Sequence, residues 1–227
     1  LADPYLLGIA AGAGLGATVA ITQDWGDGGG FTDPVPLAAF GGALLAVVLS
    51  YTAGHVGGRS TASLILAGVA VASFLTAAQT YVLQANSDAF REVYAWILGR
   101  IATSGWSEVV LMVPYFLLAA GIVFRYRRAL DVLAVGDEEA QALGLEPRKI
   151  RVIVVLAASL GAAAAVSVSG LIGFVGIIVP HAVRLAFGAS HRVLVPLSIL
   201  FGGAFMVLAD LAARTIVEPA ELPIGVV

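Results

Sequence analysis

The chain has 227 residues, of which 59% are hydrophobic, 12% are charged and none is cysteine, and its formal net charge is −3. Because an ordinary soluble domain is about 25% charged, this composition excludes a soluble globular enzyme, a disordered chain and a nucleic-acid-binding protein. The lack of cysteine excludes disulfide frameworks, thiolate metal sites and cysteine nucleophiles, and a lipid bilayer is the solvent that suits so much apolar surface.

The predicted elements are membrane-spanning helices, each of which needs about 20 predominantly apolar residues. Six stretches contain no Asp, Glu, Lys or Arg: 4–23, 34–58, 60–87, 109–124, 152–183 and 193–209. Five of them fit one helix each. The stretch 152–183 is too long for one span and too short for two, and its glycines and proline predict a helix to about Ser169, a tight turn and a shorter, interrupted helix. We therefore expect seven spans, with an eighth beginning at Glu221.

The basic residues orient these spans. Of the twelve Lys and Arg residues, only Arg91, Arg100 and Arg214 lie in one set of alternate loops, and the other nine lie in the second set. Because cytoplasmic loops carry the excess of Lys and Arg, the second set faces the cytoplasm. The chain then starts inside, and the span that begins at Glu221 starts outside.

Two short similarities within the sequence predict an inverted repeat. Residues 36–43 resemble residues 196–204, and residues 64–69 resemble residues 221–226. In the orientation given by the charges, the two copies cross the membrane in opposite directions. That arrangement is typical of transporters with inverted-topology repeats.

The spacing of glycines predicts close packing of helices. Gly8, Gly12 and Gly16 recur every four residues on one helix face. Small residues at this spacing let the backbones of neighbouring helices approach closely. We expect the same role for the pairs Gly41–Gly42 and Gly202–Gly203.

The longest predicted cytoplasmic loop, residues 125–150, contains a helix of its own. Residues 137–143 form a helix-favouring run after Gly136, and the run ends at Gly144 with Pro147 just beyond it. Glycine commonly ends a helix, and proline often follows such an end. A short polar helix between two spans is a rigid projection on the cytoplasmic face. It is either a solvated loop helix with no partner or a coupling helix that sits in a groove of an ATPase.

Four stretches carry a family resemblance, in the right order along the whole chain. They are residues 1–8, residues 133–144, residues 170–184, and residues 209–214 followed by 221–225. Together they resemble the FecCD-type permeases of the ATP-driven importers for iron-siderophores, haem and cobalamin. The strongest of the four is the stretch 170–184, which reads Gly-Leu-Ile-Gly-Phe-Val-Gly-Ile-Ile-Val-Pro-His-Ala-Val-Arg.

The resemblance implies an all-α, polytopic integral membrane protein with the ten-helix bundle of a type II ABC importer permease. Residues 1–227 would form a single transmembrane domain that carries helices three to nine and the first turn of helix ten, so we expect a fragment truncated at both ends. The implied location is the inner, cytoplasmic membrane of a bacterium. The implied partners are a second permease copy in a homodimer or close heterodimer, two cytoplasmic ATPase subunits, an extracytoplasmic substrate-binding protein and a metal-chelate substrate.

No cofactor is expected on this chain. Its one lysine, Lys149, follows Arg148 rather than a glycine, so there is no Walker motif. ATP and Mg²⁺ would therefore bind to the partner ATPase, and the chain itself would be a transport subunit rather than an enzyme. A metal site is not expected either, because the candidates to join His181 as ligands are single residues elsewhere in the sequence.

The resemblance also implies roles for individual residues. ATPase coupling falls to the loop helix and its flanks, namely Gly136, Asp137, Glu138, Glu139, Ala140, Leu143 and Gly144. The inner gate includes Leu1, Ser60 and Thr61, although the two hydroxyl groups also suit the capping of a helix N-terminus. The structural residues of the family's strongest motif are Gly173, Gly176, Pro180, His181 and Arg184.

Arg214 is expected to dock the binding protein. It lies just beyond the outer end of its span, on the side where basic residues are scarce. In the cobalamin importers that this stretch resembles, an arginine at the same distance before Glu-Leu-Pro-Ile-Gly pairs with an acidic residue of the binding protein. The alternative is a local ion pair, either with Asp210 on the same helix face or with Glu218.

Three other classes of function compete with an ATP-driven permease. An ion-coupled transporter would use Asp210 as a cation site, but it needs further charges at mid-membrane, which the predicted spans lack. An intramembrane serine protease would pair Ser167 or Ser169 with His181, whereas serines at helix ends more often bond backbone carbonyls. A membrane anchor or receptor needs neither an inverted repeat nor a broken helix.

Overall fold

The computed structural model describes residues 7–25, 33–56, 61–99, 105–215 and 224–226. Within these ranges the chain is helical and contains no strand, which confirms the all-α prediction. The helices, in chain order, are α1 (Ile9–Thr22), α2 (Pro34–Val56), α3 (Thr61–Ala85), α4 (Phe90–Ile97), α5 (Trp106–Leu133), α6 (Asp137–Ala142), α7 (Pro147–Ser169), α8 (Val175–Phe187) and α9 (His191–Thr215). Single turns of 3-10 helix lie at Ser87–Ala89 and Ile224–Val226.

Helices occupy the positions of the seven predicted spans. The helices α2, α3, α5, α7 and α9 are long and apolar enough to cross a membrane, and α1 and α8 are shorter apolar helices. The predicted start of an eighth span, Glu221, lies outside the described residues, and the turn Ile224–Val226 is the part of that segment that the structure describes. The chain is therefore a polytopic membrane bundle.

The break in the long apolar stretch 152–183 lies where the sequence predicts it. Helix α7 ends at Ser169, and α8 begins at Val175. Gly170 has a φ of +76°, and a Cβ at this position would clash with the carbonyl oxygen of Trp96. Only glycine meets both demands, because it tolerates positive φ and has no side chain.

Helix α1 lies at the centre of the described bundle, in contact with α2, α3 and α7. Its contact with α2 is close, as the glycine spacing predicts: a Cβ on Gly12 would clash with the carbonyl oxygen of Gly42, and a Cβ on Gly16 with that of Ala38. Gly42 is thus part of the predicted close packing, and Gly8 also approaches α3 closely, but Gly41 and Gly203 do not take part. A Cβ on Gly41 or Gly203 would meet no atom of the described chain within 4 Å.

Helix α4 lies in a segment that the charge pattern predicts to be an outer loop. It is amphipathic, with Val93 and Trp96 buried and Phe90 and Tyr94 exposed. Its charged residues, Arg91 and Glu92, lie on the exposed face. Those charges interrupt the apolar pattern, and eight residues are too few to span a bilayer. The hydropathy of the sequence therefore does not predict α4.

Candidate functional site

Helix α6 is the projection that the sequence predicts in the cytoplasmic loop. Three acidic residues, Asp137, Glu138 and Glu139, occupy its first turn, where negative charge is stabilised by the helix dipole. At its other end the N–H of Gly144 bonds the carbonyl of Gln141, and the N–H of Leu145 bonds that of Ala140, both at 2.9 Å. With Gly144 at φ +76°, this is a Schellman motif, and it confirms Gly144 as the residue that ends the helix.

Two contacts brace α6 against the adjacent spans. The guanidinium of Arg151, in α7, donates to both carboxylate oxygens of Asp137, with Nη1 at 2.8 Å from Oδ2. On the face of α6 that points toward its own chain, Ala140 is completely buried. The residue after the Schellman turn, Leu145, packs on a small apolar cluster formed by Leu130, Ile150 and Val154. A six-residue helix with these supports is held in one orientation.

The opposite face of α6 is exposed and bears both charge and apolar surface. Glu138 and Glu139 are exposed and form no ion pair with any residue that the structure describes. Leu143, just past the helix end, has 69% of its surface exposed. This face of α6 therefore combines an exposed leucine with two carboxylates that pair with no described residue.

A cleft of about 820 Å³ opens beside α6, between the inner ends of α2 and α7. Tyr51 and His55 line it from α2, and Gln141 lines it from α6. Across the cleft, Nη2 of Arg148 lies 3.1 Å from Nε2 of His55. This contact joins α2 to the start of α7, and no local pattern predicts it because the two residues are 93 positions apart.

A second tie on the inner side joins α5 to α9. Asp131, near the end of α5, accepts hydrogen bonds from the backbone N–H of His191 at 2.6 Å, from Nδ1 of His191 at 2.8 Å and from the hydroxyl of Ser190 at 3.1 Å. His191 is 7% exposed, and its Nε2 is buried without a hydrogen-bond partner in the described chain. Sequence reasoning missed this pair. Ser190 is a plausible helix cap by type, but no local signal places Asp131 opposite it.

The comparisons with known proteins identify the family. The sequence profile of the FecCD transport family matches residues 1–227. The chain belongs to the FecCD transport family. It is 42% identical to the ABC transporter permease protein YvrB of Bacillus subtilis and 39% identical to the cobalamin import system permease protein BtuC of Halobacterium salinarum, with all of this chain aligned in both cases. It spans 65% and 60% of the length of those two relatives.

The fold of this FecCD family member matches a solved transporter. An inward-facing structure of a metal-chelate type ABC transporter superposes with a TM-score of 0.90 at 27% sequence identity. The match covers 100% of this chain and 71% of that one. The bundle described above is therefore the permease fold of that transporter type.

The residues implied for the inner gate lie at the edge of what the structure describes. Leu1 and Ser60 are outside the described residues. Thr61 is the first residue of α3 that the structure describes, and its role as a helix cap stays a prediction. The gating role itself stays a prediction.

Arg214 forms an ion pair with Asp210, which is the predicted alternative to docking of the binding protein. Its Nε lies 2.9 Å from Oδ2 of Asp210, one turn earlier in α9. The arginine side chain is still 43% exposed, so the pair orients the guanidinium without burying it. Glu218, the other candidate partner, lies outside the described residues. Docking of the binding protein at Arg214 stays a prediction.

The family's strongest motif forms the turn before α8 and α8 itself. Pro180 lies inside α8, and the other motif residues are exposed in the single chain: Gly173, Gly176, His181 and Arg184. A Cβ on Gly173 or Gly176 would meet no described atom within 4 Å. The described part of this chain therefore makes no close contact at these two glycines, and their structural role stays a prediction.

Neither a metal site nor a serine nucleophile is assembled by the described residues. They contain no group of three or more His, Asp or Glu side chains that could hold a metal ion. The hydroxyl of Ser167 donates to the carbonyl of Ala164, and that of Ser169 to the carbonyl of Ala165, both at 2.9 Å. The two serines thus bond backbone carbonyls, as expected of serines near a helix end.

Proposed function

We propose that this chain is part of the permease subunit of an ATP-binding-cassette importer that moves a metal chelate, such as an iron-siderophore, haem or cobalamin-like compound, into the cytoplasm. The observation that carries the proposal is α6: a short helix, braced by Arg151 on the cytoplasmic face, in a chain whose whole length matches the FecCD transport family. The transported chelate is inferred from relatives such as the cobalamin import system permease protein BtuC and from the apolar, charge-poor spans.

In this proposal α6 is the coupling helix, and a cytoplasmic ATPase subunit receives its exposed face. Glu138, Glu139 and Leu143 make the contact, while Asp137 and Ala140 hold the helix on its own subunit. ATP and Mg²⁺ bind to the two ATPase subunits, and the permease is not an enzyme. Closure of the ATPases around ATP displaces α6 and, with it, the spans on either side.

Two permease copies form a dimer in the cytoplasmic membrane, and the substrate passes along their interface. Helices α5 and α9 support this arrangement, because only 6% of the most apolar 18-residue segment of each helix is buried within the single chain. Lipid, the partner copy and the rest of the permease would cover those surfaces. A wide passage with few fixed charges suits a bulky chelate, because weak binding lets the ligand leave.

The two membrane faces then have separate roles. On the outer side Arg214 contacts an acidic residue of the substrate-binding protein, and its pairing with Asp210 fixes the direction of the guanidinium. On the inner side Leu1, Ser60 and Thr61 narrow the cytoplasmic mouth. The rival in which Asp210 binds a transported cation loses support, because that carboxylate is occupied by Arg214 at 2.9 Å.

Reconstitution of the transporter tests this function. The full-length permease is co-purified with its ATPase and binding protein, placed in liposomes, and assayed with ferric siderophore, haem and cyanocobalamin. We expect uptake of one of these chelates only with ATP on the ATPase side, and none with an ATPase whose Walker lysine is replaced. Uptake that an ion gradient drives without ATP would instead support the ion-coupled class.

A further inference from the structure

The contact between Asp131 and His191 joins two parts of the permease that the proposed mechanism must move together. We propose that Asp131 and His191 are positioning residues that transmit the displacement of α6 to the paired helices α8 and α9. The inference rests on the proposed function, since it assigns these residues to ATP-driven transport. It goes beyond that function by naming the link between the coupling helix and the broken-helix motif.

Helix α5 leads directly into α6 and carries Asp131 near its end. Asp131 lies six residues before Asp137, the first residue of α6. Its neighbour Leu130 is buried against Ile150 and Val154 of α7. Adjacent residues at the end of α5 thus hold α7 through apolar contacts and α9 through hydrogen bonds, so a displacement of the loop reaches both helices.

His191 connects α5 to the pair of helices α8 and α9. Helices α8 and α9 pack on each other through Val179, Val183 and Leu194, and His191 and Ser190 stand at the bend between them. A force applied at this bend moves both helices as one unit. Within the described chain α9 contacts α5, and Asp131 supplies the polar tie between them.

The side chains of Asp131 and His191 are suited to a hydrogen-bonded contact rather than to apolar packing. Three donors converge on one carboxylate, and hydrogen bonds to a charged acceptor are stronger than neutral ones. Yet the ring of His191 leaves Nε2 buried and without a partner in the described chain, which is unfavourable. An apolar side chain would fill the same space without that penalty. The histidine is therefore better explained by its bond to Asp131 than by packing.

Pulsed spin-label distance measurements test the tie without knowledge of the transported chelate. Cysteines replace Val135, between α5 and α6, and Val193, in the first turn of α9; both side chains are exposed, and the sequence contains no native cysteine. The labelled full-length permease is assembled with its ATPase and measured without nucleotide and with ATP–Mg²⁺ plus vanadate. We expect the distance between the two sites within one permease copy to be narrowly distributed and the same in both states, because the tie moves the two sites together.

The variants Asp131→Ala and His191→Ala are expected to broaden that distribution, or to shift it between the two nucleotide states. Transport per ATP hydrolysed should fall about fivefold or more, while ATPase activity persists. His191→Ala keeps the carboxylate and the backbone N–H bond, so it serves if Asp131→Ala does not assemble. Ser198→Ala is the control, because it removes a buried polar atom of α9 that, like Nε2 of His191, has no partner in the described chain.

The outcomes separate the two proposals. If both variants give the wild-type distance distributions and the wild-type ratio of transport to ATP hydrolysis, the tie has no transmitting role and the inference is overturned. If the wild-type complex transports none of the three chelates with ATP, the proposed function fails. In that case the distance distributions of the variants still decide whether Asp131 and His191 hold α9 to the α5–α6 junction.

Discussion

Arg151 of α7 donates two hydrogen bonds to the carboxylate of Asp137, the first residue of α6. Both side chains are about half exposed, so the pair contributes little to global stability, about 1 kcal/mol or less once solvent screening is considered. Its effect is local: it fixes the direction in which α6 projects from the membrane bundle. The orientation of α6 therefore depends on a contact that the fold as a whole does not need.

Loss of this brace is expected to weaken coupling while leaving the bundle folded. Arg151→Met frees Asp137, so α6 samples more orientations and stimulation of the ATPase by the loaded binding protein falls by up to about fivefold. Lys149→Met is the matched control, because Lys149 lies 3.8 Å from Glu146 in a more exposed pair. Equal ATPase stimulation in both variants and in the wild type would show that the brace is dispensable.

Charge reversal on the exposed face of α6 is expected to separate ATP hydrolysis from transport. The double variant Glu138→Lys, Glu139→Lys presents repulsive charge to the ATPase groove, so the complex either assembles poorly or hydrolyses ATP without uptake. Glu146→Lys changes another exposed carboxylate, just outside α6, and should behave as wild type. Co-purification and uptake per ATP are measured for all three. Normal assembly and normal uptake in the double variant would rule out docking through these residues.

The close approach of α1 and α2 predicts that one glycine substitution destabilises the permease and that a second, on the same helix pair, does not. Gly12→Ala places a Cβ against the carbonyl oxygen of Gly42, and overpacking of this kind costs about 1–3 kcal/mol. Gly41→Ala, on the same helix pair, meets no described atom within 4 Å and gains helix propensity. Thermal unfolding of the purified permease should show a lower midpoint for Gly12→Ala alone. The same midpoint in both variants would contradict the described packing.

Arg214 is expected to contribute to the affinity for the binding protein. Arg214→Glu removes an exposed interface charge worth about 1 kcal/mol or less and adds repulsion, so the Kd should rise by about fivefold or more and depend less on salt. Asp210→Asn tests the local pair separately: it frees the guanidinium but keeps its charge, so the salt dependence should persist. Basal ATPase activity should be unchanged in both. If Arg214→Glu leaves the affinity and its salt dependence unaltered, Arg214 serves α9 only.

Local signals in the sequence were enough to predict much of the bundle and of α6. The end of α7 at Ser169 and the turn at Gly170 follow from the glycine pattern and from the length that a bilayer allows. The end of α6 follows from Gly144, and the α1–α2 contact from the spacing of Gly12 and Gly16. In each case the residues that decide the structure are close together in the chain.

The parts that escaped prediction depend on contacts between distant residues. Asp131 meets His191 across 60 positions, and His55 meets Arg148 across 93. Neither pair has a periodicity or a motif, because the fold alone brings the partners together. Helix α4 escaped for a different reason: eight residues with two charges give no membrane-span signal, although Trp96 is buried in the main core.

Site-specific photocrosslinking from Leu143 tests most directly whether α6 docks on an ATPase. A photoreactive amino acid replaces Leu143 in the full-length permease, and the assembled complex is irradiated in liposomes. A second sample carries the probe at Phe90, which is also exposed but lies in α4 on the predicted outer side. We expect an adduct between the permease and the ATPase from position 143 and none from position 90. An intact complex in which position 143 yields only lipid adducts, or the same products as position 90, would contradict the account.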